Sequence, residues 1–142
     1  MIYTRIDRGA NGIQKLKNFY FNVNPTRYFY PASTVKFPVS ILALQRLNEL
    51  IDKGINASTT IIHEADREKQ TPVYNDPSTP DGKPTIAQYI RKILMVSDND
   101  AFNRLYEFLG PGYINAELKK RGYEDIQIRH RLQIAQIGRA HV

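Results

Sequence analysis

The chain has 142 residues, 42% of them hydrophobic and 24% charged. These are proportions of a globular protein, one modest domain or part of a larger one, rather than of a disordered segment. Its net charge of +6 comes from bases interleaved with acids; without a basic run, an RNA-binding signature or zinc-finger spacing, no nucleic-acid partner is expected. Cysteine is absent, which excludes disulfides, cysteine metal sites and a cysteine nucleophile.

Ile2, Tyr3 and Ile6 read as a short first strand. Asn11-Gly12 is a hairpin signal, and Phe19 to Val23 reads as the returning strand, ended by Asn24-Pro25. The next segment is the most apolar long stretch. Ile41, Leu42, Leu44, Leu47, Leu50 and Ile51 cover more than half of a helical circumference, so a buried central helix is expected, closed by Gly54. Pro38 in its opening turns predicts a late start or a kink. Residues 56 to 84 read mostly as loop, with a short strand expected at Thr59 to Ile62. Thr85 is a good N-cap for a helix in which Ile86, Tyr89, Ile90, Ile93 and Leu94 recur at helical spacing. That helix should break at Ser97-Asp98-Asn99, where short polar side chains compete for the backbone. Phe102, Leu105, Phe108 and Leu109 mark a second helix, stopped by Gly110-Pro111. A shorter helix is expected from Tyr113 to Arg121, capped by Gly122, with Ile126 to Ile128 weakly extended. No apolar run reaches transmembrane length, and Met1 to Arg5 lacks the layout of a signal peptide.

Two constellations carry chemistry. Ser33 and Lys36 stand three residues apart where the central helix begins. This spacing puts a hydroxyl and an amine on one face of one turn. Burial and the positive end of the helix dipole both lower a lysine pKa, which suits Lys36 to take a proton from Ser33. With five serines in the chain, such a spacing arises by accident in roughly one chain in three. The same two residues also fit a helix cap and a lysine reaching for the surface. Ser97-Asp98-Asn99 is the rarer signal, expected by chance in about one chain of this size in fifty. It falls at a helix–helix joint flanked by apolar residues. His63-Glu64 does not open an H-E-x-x-H zinc helix, because Arg67 stands where the second histidine is needed. His63, His130 and His141 have no ligand spacing, and each is expected to be exposed or hydrogen-bonded. There is no G-x-S-x-G elbow.

Ser33-x-x-Lys36 followed by Ser97-Asp98-Asn99 resembles the motif pair of penicillin-interacting serine enzymes. The chain looks like a class A β-lactamase-related serine hydrolase, over roughly residues 1 to 131. Phe21 to Asn24 and Tyr28 to Ser33 are similar to that family's second strand and its approach to the nucleophile. Thr71-Pro72-Val73, Asp81 to Thr85, Gly110-Pro111 and Gly122-Tyr123 resemble segments around its S-D-N helices. The resemblance implies an α/β (α+β) β-lactamase/transpeptidase-like fold, here mostly the helical subdomain with the first two strands of the antiparallel sheet. It implies Ser33 as the acylated nucleophile, Lys36 as its base and Ser97 as proton relay to the leaving nitrogen. Asn99 and Gln70 would bind substrate, Gln70 at the cleft mouth, and Asp98 would be structural. The backbone N–H of Ser33 would supply half of an oxyanion hole. The implied partner is a β-lactam or a peptidoglycan-like peptide; a monomer is expected, with no cofactor and no metal, in the periplasm or another extracytoplasmic space. The alternatives are a D,D-peptidase or penicillin-binding-like enzyme, or a non-catalytic binding module on the same fold.

The sequence also departs from the family. No K-T-G follows, so the substrate-binding strand and second oxyanion donor are missing. The deacylating glutamate should fall just after Arg129 to Arg131, where the chain has Gln133 and no acid anywhere after Asp125. Residues 137–142, Ile-Gly-Arg-Ala-His-Val, match the translation of a sequencing adapter, ATC GGA AGA GCA CAC GTC. The expected organisation is therefore a partial domain over 1–136, with 1–24 its first hairpin and 31–131 its helical part, followed by an adapter-derived tail. As it stands, the chain is expected to be inactive.

Overall fold

A computed structural model describes residues 1–65 and 70–132. The readings that rest on Arg67, Gln133, His141 and the 137–142 tail lie outside the described residues. The chain divides into two compact units, Met1–Tyr30 and Pro31–Val142.

The first unit is a hairpin of β1 (Ile2–Arg8) and β2 (Gln14–Tyr20), antiparallel, with Arg8 opposite Gln14 and Ile2 opposite Tyr20. The turn is held by Gly9 N–H donating to Ile13 O (3.1 Å) and Gly12 N–H to Gly9 O (3.0 Å), and Gly12 takes a φ of +75° that favours glycine. The returning strand thus starts at Gln14 and ends at Tyr20, rather than running from Phe19 to Val23. The aromatic cluster suggested a strand, but the turn sets the register, and a seven-residue first strand is exhausted once Tyr20 faces Ile2. Ile2, Ile6, Leu16 and Tyr20 share one face of the hairpin. On the other face Tyr3 and Phe19 pair their rings at 5.9 Å, and Lys17 Nζ lies 5.2 Å from the Phe19 ring centre.

The second unit begins with a 3₁₀ turn, Ala32–Val35, that runs straight into α1 (Lys36–Glu49). Pro38 is the third residue of α1, where a missing N–H costs no hydrogen bond. The regular helix therefore starts late, after Ser33. Val39, Leu42, Ala43 and Leu47 are buried, whereas Phe37, Ile41, Leu44 and Ile51 are exposed. The expectation of burial over more than half of the helical circumference is corrected: among the described elements α2 (Ile86–Val96), α3 (Asn99–Leu109) and α4 (Pro111–Lys120) take up one side of it. Apolar residues alone do not say which side of a helix finds a partner.

Thr59 to Ile62 do not form a strand. The connection between α1 and α2 carries two single bridges, Thr60 with Thr85 and His63 with Val73. Upstream, Ser58 N–H donates to Asn56 Oδ1 (2.9 Å) and Asn56 N–H to Thr59 Oγ1 (3.0 Å); these local turns compete with a ladder. Thr85 caps α2 by accepting from Gln88 N–H (3.2 Å). Ile86, Tyr89 and Ile93 are buried, but Leu94, a quarter-turn further round than Ile93, is exposed. Phe102 and Leu105 of α3 are fully buried, each contributing about 1.5–3 kcal/mol relative to an exposed side chain. The next helix, α4, opens at Pro111, two residues before the expected Tyr113, because proline is well suited to a first helical position. Ile126 to Ile128 form no strand. Ile128 is buried instead by Asn115, whose carboxamide bonds both its N–H (2.8 Å) and its carbonyl (2.9 Å).

Candidate active site

Lys36 is the first residue of α1 and is buried. Its amine reaches across to the joint between α2 and α3. Nζ donates to Asn99 Oδ1 (2.6 Å), to Ser97 Oγ (2.9 Å) and to the Ser97 carbonyl oxygen. The three hydrogens of an ammonium group thus all find acceptors, which offsets its removal from water.

The joint is shaped to supply those acceptors. Ser97 caps α2 in the left-handed region, with φ 56° and ψ 40°, a conformation uncommon for residues other than glycine. Its N–H still bonds Ile93 O (3.0 Å), while its hydroxyl and carbonyl are both turned to Lys36. Asp98 follows as the N-cap of α3, accepting from Ala101 N–H at 2.8 Å. Asn99 is then the first residue of α3. A helix stop, a cap and a helix start in consecutive residues bring Ser97 and Asn99 to one amine.

Burial pushes the Lys36 pKa down, and the Asp98 carboxylate opposes this in part. The lowered value favours loss of one proton, after which the amine has a lone pair with which to act as a base.

Ser33 lies in the 3₁₀ turn just before Lys36, and its carbonyl accepts the Lys36 N–H. In such a turn residues three apart eclipse one another. The Ser33 side chain is exposed and takes no part in the hydrogen bonds that hold the lysine. Gln70 is half-buried in a separate segment leading into Thr71 to Val73. The structure therefore brings Lys36, Ser97 and Asn99 together, with Asp98 as the cap between the last two.

A second polar cluster was not legible in the sequence. Arg104 is buried and donates to Thr71 O (2.7 Å), Thr71 Oγ1 (2.6 Å) and Asp100 Oδ1 (3.1 Å). Asn103 bonds the backbone of Leu132 on both sides, N–H and carbonyl, at 2.8 Å each. Glu107 receives Arg131 at 2.9 Å. The polar positions of α3 thus fasten two connecting segments to the helix that carries Asn99. His63 is neither exposed nor bonded through Nε2: its ring is buried and that nitrogen has no partner among the described residues. His130 is exposed, with Nδ1 2.9 Å from Arg131 O. Among the described residues no group of three or more His, Asp or Glu side chains is placed to hold a metal ion, and no helix is long and apolar enough to cross a membrane.

Among the described residues, the antiparallel hairpin and the four helices match a fragment of a β-lactamase-like fold. The family model described as "Beta-lactamase enzyme family" matches residues 11–141, and the chain belongs to that family. Among solved structures it is similar to an ancestral class A β-lactamase (GNCA), with 23% identity and a TM-score of 0.56, covering 92% of this chain and 47% of that one. It is also similar to a β-lactamase from Xanthomonas campestris pv. campestris, with 20% identity and a TM-score of 0.53, covering 92% of this chain and 46% of the other. At these identities the likeness shows the fold, and the chain spans about half the length of either structure. No curated protein matches the chain.

Proposed function

We propose that this chain is the nucleophile-bearing part of a serine hydrolase that forms an acyl-enzyme with β-lactams or related amides. One observation carries the reading: a buried lysine, one turn after Ser33, is hydrogen-bonded to the hydroxyl of Ser97 and the carboxamide of Asn99. In this reading Ser33 Oγ attacks the carbonyl carbon. Its proton passes to a neutral Lys36, directly or through water, and the N–H of Ser33 stabilises the oxyanion. The Ser97 hydroxyl, within hydrogen-bond reach of the lysine, hands a proton to the leaving nitrogen as the carbon–nitrogen bond breaks. Asn99 orients both the lysine and the acylamide side chain of the substrate, and Gln70 lines the mouth of the cleft. Asp98 holds the turn that presents its neighbours.

The extracytoplasmic setting and a partial domain over 1–136, with 1–24 as hairpin and 31–131 as helical part, belong to the same reading. A second reading, a penicillin-binding-like enzyme whose acyl-enzyme persists, is favoured by Gln133 standing in the stretch after Arg131 where the family's deacylating glutamate is expected. A protein carrying these residues within a whole catalytic domain should gain the mass of a penicillin-type probe on mixing. Replacement of Ser33 by alanine should abolish the adduct. An adduct that survives for minutes supports the penicillin-binding-like reading, and one that hydrolyses supports the β-lactamase. No adduct and no probe hydrolysis by folded protein rejects both and leaves a binding module on the same fold.

A further inference from the structure

The helical unit buries a histidine that this chemistry does not use. His63 closes an isolated bridge with Val73: its N–H donates to Val73 O (3.1 Å) and its carbonyl accepts Val73 N–H (2.8 Å). The ring is 8% exposed and stands edge-on to Tyr89, with centroids 5.7 Å apart at 62°. Among the described residues Nε2 has no hydrogen-bond partner, and neither does the neighbouring Tyr89 hydroxyl.

Among the described residues the charged groups acting on this ring come from α3: Arg104, Glu107 and Asp100. From α2 it meets Tyr89, which burial pushes up to about 12, so it remains an uncharged phenol. The Glu107 carboxylate lies 4.0 Å from Nδ1. That carboxylate is already engaged by Arg131 at 2.9 Å and by Arg104 at 3.5 Å. The Asp100 side chain is 65% exposed and bonded to Arg104.

A neutral imidazole fits this place with one N–H and one lone pair. An imidazolium carries two N–H donors and a charge. Here it would have no acceptor at Nε2, would share an occupied carboxylate at Nδ1, and would lie beside the buried Arg104 guanidinium.

We propose that His63 is an acid-sensitive clasp, and that protonation of its ring forces it out of the site and opens the bridge to Val73. The segment so released carries Gln70 and the Thr71 that Arg104 holds. The proposal stands independently of the enzymatic reading. Burial is the largest cause that pulls the histidine down, and Arg104 adds to it. The closed form therefore holds no proton where the open form, at an ordinary histidine pKa of about 6.5, takes one up. Opening is then favoured as pH falls below about 6.5, by about tenfold per pH unit, until the closed form itself titrates.

Amide hydrogen exchange on the 142-residue chain, from roughly pH 7.5 to roughly pH 5 and corrected for intrinsic rates, reads this opening. Protection of the His63 and Val73 amides should fall about tenfold per pH unit below about 6.5, while Leu42 and Leu105 keep theirs. The variant His63→Gln should lack the slope. Should that variant not fold, the ring titration of His63 by NMR in the unaltered chain decides, with a midpoint below 6.5 expected. A slope absent from the unaltered chain, a slope unchanged in His63→Gln, or a ring titrating at or above 6.5 overturns the proposal.

Discussion

Replacement of Arg104 by alanine tests how far α3 holds the connecting segments in place. The guanidinium makes two short bonds to Thr71, at 2.7 Å to the carbonyl and 2.6 Å to the hydroxyl. Hydrogen bonds from a charged donor contribute about 1.5–3 kcal/mol each. The pair with Asp100 adds little, because that carboxylate is 65% exposed and pairs of this kind are worth about 0–1 kcal/mol. Glu107 keeps Arg131 after the change, so it is not left as a lone buried charge. The two Thr71 bonds end on one residue and do not add fully, so a loss of about 3–5 kcal/mol is expected. For a chain of this size that is a fall in melting temperature of roughly 10–15 °C. Far-UV circular dichroism in urea and on heating measures both. Arg104→Lys should recover only part of the loss, since an ammonium cannot span the carbonyl and hydroxyl as a planar fork does. A loss below about 1 kcal/mol, or a lysine variant as stable as the arginine, would refute the reasoning.

The remaining expectations concern the amine, the far end of the helices and the hairpin. In a protein carrying the whole catalytic domain, Lys36→Ala should slow acylation by a penicillin-type probe by orders of magnitude; Ser97→Ala should cost less, within the roughly 10²–10⁴-fold typical of proton-transfer groups, as stopped-time mass spectrometry would read. Glu117 is held down to about 2, first by its hydrogen bond from Arg121 and then by Gln45. A depressed carboxylate stabilises the fold above its unfolded value and loses that contribution as pH falls through the folded one. The α1–α4 connection through Gln45 and Glu117 (2.7 Å) should therefore weaken between about pH 4.5 and about pH 2, and Glu117→Gln should flatten acid unfolding in that window. Every residue of β1 and β2 is exposed, and two-stranded hairpins are marginal in water. The hairpin should accordingly open readily, with backbone amides of residues 1–24 exchanging well before those of 33–121; protection of the first strands equal to that of the helices would contradict this.

What the sequence made legible was local. Thr85 and Asp98 cap the helices that follow them, and Gly54, Gly110 and Gly122 each take a positive φ at a helix end, because caps and left-handed stops are decided within one turn of chain. The cluster of Lys36 with Ser97 and Asn99 spans more than sixty positions, as the bond separations of 61 and 63 show, and periodicity has no access to such a distance. It was reachable only through the motif pair and its resemblance to a family. The strand expected at Phe19 to Val23 is displaced for a related reason: β propensity belongs to residues, but register belongs to the turn that precedes them.

The same distinction separates the two polar clusters of the helical unit. Ser97, Asp98 and Asn99 are short polar residues interrupting an apolar pattern, and interruption is a signal that a sequence displays. Asn103, Arg104 and Glu107 interrupt nothing. They occupy the polar stripe of an amphipathic helix, where solvated side chains are the ordinary outcome. Their burial follows from what covers the stripe: Thr71, 33 positions upstream of Arg104, and Leu132, 29 downstream of Asn103. Both coverings are loop backbone, which must satisfy its own N–H and carbonyl groups once out of water. Polar side chains at those helix positions meet that need better than apolar ones. In this protein α3 therefore uses its apolar stripe to join the core, its polar stripe to order the loops, and its first residue to meet Lys36. A substitution on the polar stripe should reach the site through loop order rather than through contact with the lysine.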